Sequence, residues 1–351
     1  MGVVRELFER SVIFGAGGGG DVVSAYVLCE LLKSTYGVRE CLPGAVLWER
    51  WVVDPYPGPL PRHLVRGARV GECVYVNPGT YAVRSGRVVR LTSAIVAEVA
   101  GVEVPAATLE YGALGVRRCF EELVSEGWRV ALVDVGGDVL ARGGEEGLWS
   151  PLADSLSLAA ASEVGAPLVV LAPGADGELS PDYVVSRVAE VQALGGLYGV
   201  VGLWVDLVEV YEEVLPRVAS EASRVPYAAL KGWVSGVAMR GGSRRAYVGP
   251  LSLVGFVLSS EAVAMVSPLA RAVAGSRSLA EAWRALNSMG VVTELDLEVE
   301  LARLVGCGKE ASGEDYVKAR ELARRRVGGP PSYSEHSLRS GRLESTSGLA
   351  R

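Results

Sequence analysis

Histidine is nearly missing from this chain. His63 and His336 are the only two. That leaves too few imidazoles for a His-based zinc site and argues against a Ser-His-Asp triad. No G-x-S-x-G nucleophile elbow occurs. Walker A is missing too, because Gly308-Lys309 runs on to Glu310 where Ser or Thr is required. The five cysteines (Cys29, Cys41, Cys73, Cys119, Cys307) form no C-x-x-C. Zinc-ribbon and thioredoxin-like sites therefore have no support, and the cysteines read mainly as buried thiols in a reducing compartment.

Side-chain amides are almost absent: Asn77, Asn287 and Gln192 are the whole set. Such depletion points to a thermophilic source. Lysine is equally scarce (Lys33, Lys231, Lys309, Lys318), so arginine carries nearly all the positive charge. No membrane-crossing run is present. The stretch between Glu190 and Asp206 contains Gln192 and falls short of the roughly 18 apolar residues a spanning helix needs. Met1 to Phe8 includes Arg5 and Glu6 rather than an apolar signal core, so a cytoplasmic protein is expected. The net charge of −6 argues against a general nucleic-acid binder and against adhesion to anionic membranes.

What is present begins at Ser11: S-V-I-F-G-A-G-G-G-G-D-V-V-S-A-Y. A β-branched and aromatic run gives way to glycines and then to a helical pattern. Gly15, Gly17 and Gly20 satisfy G-x-G-x-x-G in a strand-turn-helix setting, with Gly18 and Gly19 between them. Glycines can take positive φ and let a ligand approach the backbone. The helix N-terminus that follows suits a phosphate or carboxylate. The alternative is a glycine turn that only permits close helix–strand packing.

A dinucleotide fingerprint also needs an acidic residue about 20 positions on, at the end of the second strand. Glu40 has that spacing but precedes Cys41-Leu42-Pro43-Gly44, which reads as a turn. Glu49 ends an apparent strand but lies further along. Asp21, in the first helical turn, would repel a pyrophosphate there unless a metal ion lay between them.

With 351 residues, 49% hydrophobic and 22% charged, the chain is globular and can bury a large core. Strand and helix patterns alternate from Val12 to Trp204, and the chain becomes more helical from about residue 205. We expect one Rossmann-like α/β domain over residues 1–327, with a mostly parallel sheet covered by helices on both faces. A Gly/Pro/Ser/Arg-rich tail over 328–351 is expected to be disordered. Asp54 to Pro61, rich in proline, reads as an extended surface loop. Ser150-Pro151 and Ser180-Pro181 each place a capping hydroxyl before a proline. Each follows a strand and an acidic, glycine-rich loop: Asp134 to Asp138, then Ala172 to Glu178.

Asp134 closes the apolar strand around Val130 to Val133, where ligand crevices of open α/β sheets form. Asp138 follows two glycines, and Asp154 lies early in the next helix. With Asp21 these carboxylates could hold Mg²⁺, a hard cation that favours oxygen ligands and phosphates. Turn capping and helix-dipole effects explain the same residues without a metal. Glu49-Arg50 reads more readily as a surface ion pair. Asn77 to Thr80 and Glu110 to Gly112 could line the same edge or simply form turns. Arg240, Arg244 and Arg245 around Gly241-Gly242-Ser243 read as a charged hairpin tip, with a phosphate grip as the alternative.

The run Phe14 to Ala25, the segment W-E-R-W-V-V-D-P-Y-P-G-P (Trp48 to Pro59), and D-V-G-G-D with S-P-L-A-D (Asp134 to Asp138, Ser150 to Asp154) occur in that order. Together they resemble an archaeal family known only as a domain of unknown function, number 1152 of its series. The resemblance spans about Val4 to Val327. It implies an archaeal source and a single family-wide domain, and supplies no activity or residue roles.

Three functional readings follow. The first is a phosphorylated metabolite or nucleotide bound on Gly15 to Gly20, with Mg²⁺ near Asp138 completed by Asp21, Asp134 or Asp154, and phosphoryl transfer or hydrolysis as the chemistry. The second is an NAD(P)- or FAD-dependent oxidoreductase with Glu49 on the ribose. The third is a non-catalytic ligand sensor or complex subunit. The high apolar content permits a homo-oligomer.

Overall fold

A computed structural model of the protein describes residues 2–328. The tail expected from residue 328 onward lies, after Gly328, outside the described residues. A nine-stranded sheet forms the spine. From one edge its strands are Leu197–Gly202, Val254–Ser259, Pro167–Leu171, Arg129–Val135, Ser11–Gly15, Cys41–Val46, Val104–Ala107, Val74–Val76 and Arg69–Val70. The central strands, from Pro167–Leu171 through to Val104–Ala107, run parallel. Both flanks are antiparallel.

Ser11–Gly15 is buried along its whole length because helices cover both faces of the sheet. Ile13 packs into one apolar core with Leu28 and Val133, while Val12 and Phe14 pack into the other with Phe120 and Leu132. The fold is therefore the expected mostly parallel α/β architecture, more helical toward the C-terminus. Among the described residues, no helix is long and apolar enough to cross a membrane.

The strand order fixes where a ligand crevice can open. From Ser11–Gly15 the chain moves to Cys41–Val46 and Val104–Ala107 on one side, then returns to Arg129–Val135 on the other. The order reverses between Ser11–Gly15 and Arg129–Val135. At such a switch point the loops beyond the strand carboxyl ends part. The glycine loop and Asp134 leave these two strands side by side.

Several local expectations are corrected. Cys41 to Gly44 is part of the strand Cys41–Val46, not a turn. Gly44 is needed there because a Cβ would come within 2.8 Å of the Phe14 ring. The cysteines are not mainly thiols: Cys29–Cys41 and Cys73–Cys119 are disulfides, and Cys307 is exposed and free. Helix–strand packing brings together partners 12 and 46 positions apart, which spacing alone hides.

The proline loop is not a surface strap. Asp54, Gly58 and Leu60 are buried. Arg84 binds the Asp54 carboxylate and the Pro57 and Gly58 carbonyls, and Gly58 N–H donates to Glu298. The strand Val254–Ser259 and the helix Gly313–Val327 are additions to the sequence reading. Within the part expected to be more helical, residues 220–248 hold the short helix Arg224–Leu230 and a hairpin, Ser235–Met239 with Arg244–Val248. Ser267-Pro268 separates the helix Ser260–Val266 from the helix Pro268–Val273. Proline lacks the N–H that would continue the first helix.

Candidate functional site

The glycine loop is built for close packing, not for unusual φ. None of Gly15, Gly17, Gly18, Gly19 and Gly20 occupies the left-handed region. A Cβ at Gly15 would lie 2.5 Å from the Asp21 Cβ, and one at Gly18 would lie 2.9 Å from the Trp48 carbonyl oxygen. Gly19 N–H donates to that carbonyl at 2.6 Å. Gly17 N–H donates to Asp21 Oδ2 at 2.9 Å. Asp21 thus occupies the position where a phosphate oxygen would meet the loop amide. Ser157 fastens the loop from the far side, donating to the Ala16 carbonyl at 2.7 Å.

Asp134 stands at the end of its strand, 1% exposed, and accepts the Val139 N–H. Gly136 (φ 128°) and Gly137 (φ 104°) need glycine twice over: their φ is left-handed, and a Cβ at Gly136 would lie 2.3 Å from the Asp176 carboxyl carbon. This turn buries Asp138 against the loop that carries Asp176. Asp154 enters from the helix Pro151–Glu163. One carboxylate oxygen from each of Asp21, Asp134 and Asp154 lies within 4.8 Å of the others, and the same holds for Asp138, Asp176 and Glu178. All six line one cavity of about 140 Å³.

Burial in this cavity pushes the Asp21 carboxyl up to about 7, against the Gly17 hydrogen bond that lowers it. Burial also raises Asp176 to about 7, with Glu178 adding to the rise. Asp134, Asp138 and Asp154 are raised well above the usual carboxylate range, by burial first and by a neighbouring carboxylate's charge second: Asp21 for Asp134, Asp154 for Asp138 and Asp134 for Asp154. Glu178 differs. Burial acts to raise it, but Arg244, Arg240 and the hydrogen bonds from Ser150 and Trp149 hold it below its ordinary value.

Both Glu178 oxygens are fully engaged. One accepts the Trp149 and Ser150 N–H groups, the other the Ser150 hydroxyl and Arg244 Nη1. Ser150 is therefore not a hydroxyl cap for its helix. Glu294 takes that part, accepting Leu152 N–H at 2.9 Å and Ala153 N–H at 2.7 Å. Ser180 does cap as expected, accepting from Tyr183 N–H. Asp154 Oδ1 has no hydrogen-bond partner among the described residues, although Asp154 is only 3% exposed.

The family model described as "Protein of unknown function (DUF1152)" matches residues 12–302. The chain belongs to this family. No curated protein and no solved structure matches it. The matched span includes the glycine loop and the six acidic residues, together with Glu294 and Glu298, which also border the cavity.

The remaining sequence candidates divide clearly. Glu49 borders the cavity, but its carboxylate accepts Thr92 N–H at 2.8 Å and Thr92 Oγ1 at 2.6 Å, steadying the start of the helix Thr92–Ala100. It is not paired with Arg50, which reaches the Ala219 carbonyl and Glu221. Asn77 closes its own turn with Gly79 and Thr80, and Glu110 pairs with Arg62; neither borders the cavity. Arg245 is exposed, whereas Arg240 and Arg244 turn into the cavity. Strand alternation separates Arg244 from Arg245. Asp176 and Glu178 carry site geometry that the sequence left unassigned, and Arg244 turns inward where the sequence favoured a charged hairpin tip. The one signal was that Asp176 and Glu178 follow a strand as Asp134 does.

Proposed function

We propose that this protein binds a small phosphorylated metabolite or nucleotide together with a divalent cation, Mg²⁺ being the natural choice. Asp21, Asp134 and Asp154 are the proposed ligands, with Asp138 beside them. The observation that carries this reading is Asp154: a carboxylate oxygen buried without a partner, set among other carboxylates. Buried charges are expected to be paired or to coordinate metal. The group Asp138, Asp176 and Glu178 is less suited, because Glu178 already satisfies four donors.

The chemistry that fits is phosphoryl transfer or hydrolysis, in which positioning and charge neutralisation do most of the catalysis. The dinucleotide alternative is disfavoured because the loop amides of Gly17 and Gly19, which would cradle its pyrophosphate, are engaged within the protein.

Native mass spectrometry of freshly purified protein, with and without Mg²⁺, tests the reading. We expect a retained phosphate-containing mass that depends on Mg²⁺. Isothermal titration with Mn²⁺ should show binding that Asp154→Asn removes. Absence of Mn²⁺ binding to the wild-type protein would sink the assignment.

A further inference from the structure

Arg244 is the most deeply buried cation in the cavity, only 7% exposed. Its guanidinium is held on two sides. Nη1 bonds to Glu178 at 2.5 Å, and the plane stacks 4.4 Å from the centroid of the Trp149 ring. Nε and Nη2 are buried with no hydrogen-bond partner among the described residues. These two nitrogens form one edge of the guanidinium, the edge that grips an oxyanion through two parallel N–H bonds. Leaving both donors unpaired is costly. Arg240 lines the same cavity, as does Ser150, whose hydroxyl donates to Glu178.

We propose that the Nε–Nη2 edge of Arg244 is the anion subsite of the cavity and takes two oxygens of the ligand's phosphoryl group. This deepens the function proposed above and rests on it, but it moves the phosphate off the glycine loop. There Asp21 already occupies the Gly17 amide, and Glu294 occupies the first amides of the Asp154 helix. Glu178 then has a defined task. It aims the fork, leaving one edge free. The cavity has a cation-seeking wall on the strand ends and an anion-seeking wall on the hairpin Ser235–Met239 and Arg244–Val248.

The test is calorimetric titration of inorganic phosphate into Mn²⁺-loaded wild-type protein and Arg244→Lys. Lysine keeps a positive charge beside Glu178 but lacks the fork. We expect phosphate affinity to fall at least about tenfold, with Mn²⁺ affinity unchanged. Equal phosphate affinity in the two proteins would overturn the subsite. Acetate competing as well as phosphate would overturn the phosphoryl class. Loss of Mn²⁺ binding in the wild-type protein would instead count against the metal reading on which the subsite rests. If Arg244→Lys does not fold, wild-type crystals soaked in tungstate decide the matter. An anomalous peak within hydrogen-bond reach of the Arg244 edge supports the subsite, and a peak only at Gly17 to Gly20 overturns it.

Discussion

Asp21 and Gly17 close the glycine loop upon itself: the carboxylate Oδ2 accepts the Gly17 N–H at 2.9 Å. A Cβ on Gly17 would lie 2.9 Å from that oxygen and 3.1 Å from an Asp154 oxygen. The loop glycines therefore serve to bring two carboxylates against the backbone, and an incoming anion meets a seat already taken.

Asp21→Asn follows from this contact. The amide oxygen can still accept from Gly17, so the fold should persist. On the proposed cation site one ligand charge is lost, so Mn²⁺ affinity should drop by at least about tenfold. Water-proton relaxation measures it. Unaltered affinity would remove Asp21 from the ligand set.

Stability without metal should fall as pH rises. Asp21 and Asp176 are raised to about 7 from the ordinary 3.8, and Asp134, Asp138 and Asp154 are also raised well above that ordinary value. A raised carboxyl contributes stability that is complete below the unfolded value and is lost as pH climbs through the folded one. Glu178, lowered, acts oppositely, and its contribution disappears only on acidification. Thermal melts of ion-free protein from about pH 5 to about pH 8 should show a declining Tm. Saturating Mg²⁺ should flatten the decline, because coordination needs the deprotonated ligands. A level ion-free profile would contradict the buried acidic cluster.

The Glu178–Arg244 pair is buried on both sides, with side chains 1% and 4% exposed. Removing one partner of such a pair strands the other charge, at about 3–5 kcal/mol. Glu178→Gln should lose stability of that order in urea unfolding. Arg142, paired with Glu190 at the half-exposed surface, provides the contrast. Arg142→Ala should cost less than about 1 kcal/mol for its ion pair.

Gly44→Ala tests the packing that replaced the expected turn. The added methyl would meet the Phe14 ring at 2.8 Å. Overpacking of this kind costs about 1–3 kcal/mol, readable from the urea midpoint. A neutral substitution would show that the two strands can separate there.

The disulfides make a prediction from loop length. They close 12- and 46-residue separations, each worth about 2–4 kcal/mol on a chain-entropy account. Native protein should expose one reactive thiol, Cys307, and reductant should lower its Tm. Five titratable thiols in the unreduced, unfolded protein would refute the pairing.

The parts of the fold legible in the sequence were those with strong local signals. Val130 to Val133 and Pro167–Leu171 are uninterrupted apolar runs within their strands, and Asp21–Tyr36 begins and ends where its glycines place it. Val254–Ser259 was not legible because it runs straight into a helix at Ser260 without a turn residue, and antiparallel pairing with distant strands decides its state. Asp134, Asp138 and Asp154 could be placed at one sheet edge because each follows a recognisable strand or cap. Arg244 could not, since the hairpin that delivers it depends on tertiary contact. Ser150 shows the limit of a local rule: a sound capping signal gave way to a carboxylate 28 positions away.

Glu294 caps the helix of Asp154 from 141 positions downstream. During synthesis that carboxylate emerges 141 residues after Ala153, whose amide it accepts. Until then the first amides of the Asp154 helix would lack their native partner. The cavity would therefore be finished late, and a fragment ending before Glu294 could contain all six acidic residues without fixing Asp154 as the whole chain does. The helix Glu294–Val305 thus reaches the cavity late, and the wall that carries Asp154 takes its geometry from it.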